Sequence, residues 1–199
     1  MNSLTGGLVC LGLDPGTRNF GWGVVRKVGT RLVHVAHGTI AVADESPLGD
    51  RLVAIEAELV EVIRAHRPDE ASIESLFFAK DAQAAAKLGH ARGVVLLVCA
   101  RAGLSVFEYP PARVKRTVTG HGAADKLQVA RMVRAMLALP DLPMADAADA
   151  LAIAVTHLAA PPALPQAEVD NPTSPHTKLI QALSAGKGSR TRKRRSALG

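Results

Sequence analysis

Residues 8–14 read LVCLGLD, an apolar run that ends on an acid, with Pro15 and Gly16 directly after it. Proline cannot donate to a ladder and glycine weakens one, so the run reads as a single short strand that stops at Asp14. Working outward, residues 20–28 and 31–43 read as two more strands, joined by a tight hairpin turn at Gly29 and Thr30. Three antiparallel strands at the start are the simplest arrangement. Pro47 opens a helical stretch to about His66, with Leu52, Ile55, Leu59, Val62 and Ile63 on one face. Arg67, Pro68 and Asp69 break it, and residues 71–75 form a brief strand ending near Glu74. A long helix rich in Ala and Gly follows over residues 80–102, then a strand over 105–109 halted by Pro110 and Pro111. Two further helices are expected at about 124–138 and 145–159, separated by Pro140 and Pro143. The order βββ-α-β-α-β-α-α predicts an α/β fold with one mixed sheet flanked by helices.

The charge is unevenly spread. The chain carries +6, with 24 basic and 18 acidic residues, but residues 161–199 hold seven of the basic and two of the acidic ones. The tail therefore has +5 and the body +1, so a nucleic-acid partner has to be argued from where charges sit, not from their sum. Five prolines (161, 162, 165, 172 and 175) precede a Gly/Ser/Arg/Lys-rich end. Residues 1–160 are expected to form one folded domain, and residues 161–199 a disordered basic tail with a weak helix around 178–184. A hydrophobic content of 48% suffices for a core without staples. No run of 18 apolar residues suggests a membrane span, and residues 1–7 do not resemble a signal peptide. Cys10 and Cys99 lie in apolar runs without metal spacing, as expected of two reduced thiols in a cytosolic protein.

Acids stand at three places where a strand or helix begins or ends. Asp14 closes the first strand, and Glu74 closes the fourth, next to an apolar Ile73. Asp146 and Asp149 are three apart in PMADAADALAIA at the start of a helix, so both project from one face amid Ala, Leu, Ile and Met. Each has an ordinary alternative. Asp14 suits a turn, Glu74 an exposed strand end, Asp146 an N-cap, and Asp149 the positive end of the helix dipole. Together they are harder to set aside, because adjacent central strands would bring Asp14 and Glu74 close. Neighbouring carboxylates repel, and one takes a proton unless a cation neutralises the set. Oxygen-only ligands favour Mg²⁺ or Mn²⁺, and a pair of such ions can activate water and stabilise a leaving phosphodiester oxygen.

Four segments carry a family resemblance: LGLDPGTRNFGWGV (11–24), SIESLFFAKDAQAAAKLGHARGV (72–94), VFEYPPARVKRTVTGHGAADK (106–126) and ADAADALAIAVTH (145–157). In this order they closely resemble the RuvC family of bacterial Holliday-junction resolvases, over roughly four-fifths of the chain. The opening D-P-G-T-R is only moderately specific by itself; the four blocks together are highly specific. The resemblance implies a ribonuclease H-like fold and a homodimer in the bacterial cytoplasm, associated with the nucleoid. It also implies Mg²⁺ or Mn²⁺ dependence, symmetric nicking of four-way junctions, and the branch-migration proteins RuvA and RuvB as partners. The family's four acids fall on Asp14, Glu74, Asp146 and Asp149, all intact. Nothing carries over to the residues before Leu8 or to the tail.

Phe77 and Phe78 are two of only six Phe, Tyr and Trp residues, and they stand just after Glu74. Either both are buried or one faces substrate, where a ring can stack on a base. The resemblance favours Phe77. Arg113, Lys115, Arg116 and Lys126 surround a Gly120-His121-Gly122 loop, a concentration of cations suited to phosphate in an otherwise neutral body. The resemblance sets Lys115 and Lys126 beside the scissile phosphate; His121 has no assigned role. Ala82, Ala84, Ala85, Ala86, Gly89, Ala91 and Gly93 would let a second helix approach the helix over 80–102, either from the chain's own sheet or from a two-fold partner. The resemblance favours the partner.

Three rival readings are weaker. An actin-like or sugar-kinase ATPase shares a strand ending D-x-G-T but needs a second domain and a later Gly-rich loop. A non-catalytic junction binder has no use for four acids. The shorter RuvX/YqgF nucleases share the opening block, but the acid pair at 146 and 149, Phe77 and the lysine region argue for RuvC proper.

Overall fold

The computed structural model describes residues 6–16, 19–42, 45–75 and 82–159. Strands β1 (Leu8–Asp14), β2 (Asn19–Val28) and β3 (Arg31–Ala41) come first, then α1 (Leu48–His66), β4 (Glu70–Glu74), α2 (Ala82–Arg101) and β5 (Ser105–Tyr109). Three helices close the order: α3 (Pro111–Thr119), α4 (Lys126–Leu137) and α5 (Ala145–Ala159). The sheet runs β3-β2-β1-β4-β5, antiparallel across the first three strands and parallel from β1 through β4 to β5. The expected mixed α/β sheet is what forms, with its hairpin turn at Gly29, whose φ is +60°.

One expectation needs correcting. Residues 110 and 111 do not simply end β5; they start α3, which the sequence reading omitted. Proline is favoured in the first helical turn, where its missing N–H would be unpaired anyway. Val114 and Val118 are the buried side of this short helix, and Gly120, at φ +87°, ends it. The signal was there in Val114 and Val118, four apart, but the dense cations between them hid it.

Both faces of β1 are buried, which explains its near-continuous apolar run. Val9, Leu11 and Leu13 join Ile55, Leu59, Val95 and Val98 in a core beneath α1 and α2. Cys10 joins a second core with Phe107, Tyr109 and residues of α3, α4 and α5. Strand alternation therefore puts Asp14, two residues beyond Gly12 and four beyond Cys10, on the α5 side. Leu13 pairs with Ile73, which lies in the first core, so Glu74 also faces α5. Both cysteines are free and buried, and burial pushes each thiol up to about 12, so neither is a reactive group.

Helix α5 lies unusually close to the sheet because glycine replaces side chains beneath it. A Cβ on Gly12 would stand 2.1 Å from the Ala150 carbonyl oxygen, and one on Gly23, the cross-strand partner of Gly12, 2.7 Å from Leu151. At the other end of α5, Lys27 Nζ donates to the Leu158 carbonyl at 2.7 Å. His157 bonds Tyr109 Oη at 2.8 Å and Glu70 Oε2 at 2.6 Å. Three strands (β2, β4 and β5) thus anchor the C-terminal turn, and the glycines seat the rest.

Candidate active site

Asp14 and Glu74 end adjacent parallel strands, and Asp146 and Asp149 occupy the first turns of α5 above them. Asp14, Glu74 and Asp149 line a cleft of about 250 Å³ together with Lys115 of α3 and Lys126 of α4. Asp146 acts on the same group through its charge, as one of the carboxylates that raise the Asp14 pKa. The sequence reading thus named five residues that the fold gathers around one cleft, and a sixth that acts on it through charge.

Lys126 is placed by helix capping. Asp125 caps α4: its Oδ1 accepts from Gln128 N at 2.8 Å, and its own N–H donates to Gln128 Oε1 at 3.0 Å. The next residue, Lys126, extends Nζ to Asp149 Oδ2 at 2.7 Å. The lysine side chain is 72% exposed and that of Asp149 24%, so this pair is solvent-screened and worth little as stability. It also raises the Lys126 pKa, chiefly through the hydrogen bond to Asp149.

The electrostatics are those of crowded carboxylates. Burial first, then Asp149 and Glu74, push the Asp14 pKa up to about 7, with Lys126 opposing. Burial and Asp149 raise Glu74, against Lys126 and Lys115. Such a donor set, all oxygen and with more negative charge than two lysines offset, fits a hard divalent cation. Among the described residues, no three His, Cys, Asp or Glu side chains already enclose an ion position, and Asp149 gives one oxygen to Lys126.

The remaining candidates are dispersed. Arg113 is exposed and lies over the Tyr109 ring, 5.2 Å from its centroid. Arg116 is an exposed residue in the last turn of α3. Neither lines the cleft. His121 is exposed in the loop after α3, its carbonyl accepting from Thr119 Oγ1 at 3.0 Å. Phe77, Phe78 and the tail from residue 161 lie outside the described residues. The sequence reading missed Arg92, a buried cation of α2 that touches Glu74; its only signal was an arginine next to the apolar run that follows Gly93.

Comparison with known proteins adds independent weight. The profile of the family described as crossover junction endodeoxyribonuclease RuvC matches residues 10–157. A relative of that description from Sorangium cellulosum is 61% identical over 150 residues, which are 75% of this chain and 84% of its own length. The structure of Thermus thermophilus RuvC in complex with Holliday junction substrate is 38% identical, with a TM-score of 0.71 over 75% of this chain and 92% of that one. The yeast mitochondrial Holliday junction resolvase, at 10% identity and a TM-score of 0.53, shares the fold. A match that spans all four carboxylates and the two lysines of the cleft admits one assignment: the chain belongs to the RuvC family of crossover junction endodeoxyribonucleases.

Proposed function

We propose that this protein resolves four-way DNA junctions by symmetric, metal-dependent phosphodiester hydrolysis during recombination and repair. The reading is carried by the convergence of Asp14, Glu74 and Asp149 on one cleft that Lys115 and Lys126 also line. In this reading Asp14, Glu74, Asp146 and Asp149 hold two Mg²⁺ ions, or Mn²⁺. When bound, the ions supply an activated water and charge at the leaving oxygen. Lys115 and Lys126 would orient the scissile phosphate, and Asp149, which bonds Lys126 through Oδ2, would be one of the ligands. Arg113 and Arg116 attract flanking phosphates without reading sequence, and Phe77 stacks on a base at the opened junction.

A homodimer would set two such sites against the approximate two-fold symmetry of a junction. Support comes from the outer side of α2, where Ala86, Gly89, Gly93 and Leu97 are exposed, Leu97 by 48%. A Cβ on Gly89 or Gly93 would meet nothing within 4 Å, so a second helix has room to approach. RuvA and RuvB are the partners this reading supplies, at the nucleoid of a bacterial cytoplasm. Among the described residues no helix is long and apolar enough to cross a membrane.

The test is nicking of a synthetic four-way junction with Mg²⁺ and with EDTA, using linear duplex and ATP turnover as controls. Paired nicks in opposite strands that require the cation are expected. Equal cutting of linear duplex, or cutting in EDTA, would overturn the proposal.

A further inference from the structure

Arg92 sits within α2, 8% exposed, and burial lowers its pKa. A buried guanidinium needs partners for its donors. Nη2 bonds the carboxylate of Glu108 in β5, and Nη1 donates to the backbone carbonyl of Glu74 at 2.8 Å. Glu108 pairs with Ile73, so the guanidinium joins α2 to the ends of two neighbouring strands.

The Glu74 carbonyl is where the sheet gives out. The β4–β5 register ends with Glu74 opposite Tyr109, and among the described residues the last backbone bond is Ser75 N–H to the Tyr109 carbonyl at 2.9 Å. The Glu74 carbonyl belongs to the same peptide as the Ser75 N–H, so Arg92 fixes the second side of the peptide on which β4 ends. The cations that lower the Glu74 pKa are Lys126 and Lys115 on the cleft side, whereas Arg92 reaches its backbone from the α2 side. A second hollow of about 220 Å³, lined by Asp14, Glu74, Ser75 and Arg92, lies between this clamp and the carboxylates. Splitting one guanidinium between a carboxylate and a carbonyl uses the rigid planar fork of arginine, which a lysine ammonium lacks.

We infer that Arg92 is a positioning residue: from α2 it clamps the end of β4 through the Glu74 carbonyl and sets how the Glu74 carboxylate is presented to the cleft. The inference rests on the reading of Glu74 as a metal ligand. A purely structural Arg92–Glu108 pair would affect stability alone.

Three variants separate these roles: Arg92→Lys, Arg92→Met and Glu108→Gln. Mn²⁺ binding is followed by electron paramagnetic resonance, Mg²⁺ dependence by junction nicking, junction affinity in EDTA, and stability by thermal melting. Arg92→Lys is expected to raise the half-saturating Mn²⁺ concentration about tenfold, the scale on which groups supporting a metal ligand act. The Mg²⁺ requirement should rise in parallel while junction affinity in EDTA stays the same. Glu108→Gln keeps the bond from Arg92 to the Glu74 carbonyl, so it should melt earlier yet bind Mn²⁺ like wild type. Should Arg92→Met fail to fold, the other two variants still decide. Wild-type Mn²⁺ binding in Arg92→Lys, or losses in all variants that merely track melting temperature, would overturn the positioning role. Wild-type protein that neither binds Mn²⁺ nor nicks junctions would instead overturn the metal-site reading beneath it.

Discussion

A Cβ added to Gly21 would lie 2.0 Å from the carbonyl oxygen of Asp146. Gly21 is the cross-strand partner of Asp14, so this contact sets the first turn of α5 directly over the acid that ends β1. Gly21→Ala should therefore lift that turn. Overpacking of this kind costs about 1–3 kcal/mol, and the same shift carries Asp146 and Asp149 away from Asp14. A lower melting temperature with a disproportionate loss of nicking is expected. Gly49→Ala, where the added Cβ meets nothing within 4 Å, is the control and should leave nicking unchanged.

Replacing Asp14, Glu74, Asp146 or Asp149 by the corresponding amide should lower nicking by at least about a hundredfold, the scale of losing one electrostatic group at a reacting centre. Junction binding should largely survive, because affinity comes mainly from phosphate contacts. Gel-shift and single-turnover cleavage assays separate the two. Near-normal rates in any two of the variants would refute the four-carboxylate site.

The raised Asp14 pKa has a stability consequence in metal-free protein. A carboxyl raised from 3.8 to about 7 on folding binds its proton more tightly in the native state. Its contribution is fully present below about pH 4 and is lost as pH rises through about 7. In EDTA, Asp14→Asn should thus melt higher than wild type at pH 8, with the difference shrinking towards pH 4. Calorimetry at three pH values checks this, and added Mg²⁺ should raise the wild type more than the variant. A difference that does not vary with pH would contradict the assignment.

Phe77→Ala should keep the fold and the Mn²⁺ binding but cut a fixed junction more slowly. Loss of one stacked base, about 1–3 kcal/mol, corresponds to roughly 5- to 150-fold. A mismatched, pre-opened junction should recover part of the rate. A large fall in melting temperature with normal specific activity would instead place the ring in the core.

Residues 161–199 carry +5 of the +6 charge, densest over residues 190–195. Deleting residues after Ala160 should weaken binding to duplex and junction alike and flatten its salt dependence, leaving cleavage position and metal requirement alone. Binding isotherms at two salt concentrations check this. Identical slopes would remove the electrostatic role, and a moved cut would make the tail part of the recognition surface.

The sequence alone determined the strand–helix order apart from α3, the hairpin at Gly29, and the acids at element ends. Each rests on local periodicity or turn chemistry that a few adjacent residues express. It also put Asp14 beside Glu74, since an acid at the end of each of two neighbouring strands leaves little choice. Tertiary structure alone decided which faces meet. The Leu13–Ile73 register turns both strand acids towards α5, and Gly12, Gly21 and Gly23 let α5 settle on the sheet. In the sequence those glycines look like turn or weak-strand residues, because their purpose is an approach by residues more than a hundred positions away. The same holds for Arg92, whose partner carbonyl is 18 residues earlier and on another element. Helix α3 was hidden for the opposite reason: Pro110 and Pro111 are a stop signal by local rules, and only packing of Val114 and Val118 into the core makes Pro111 a start.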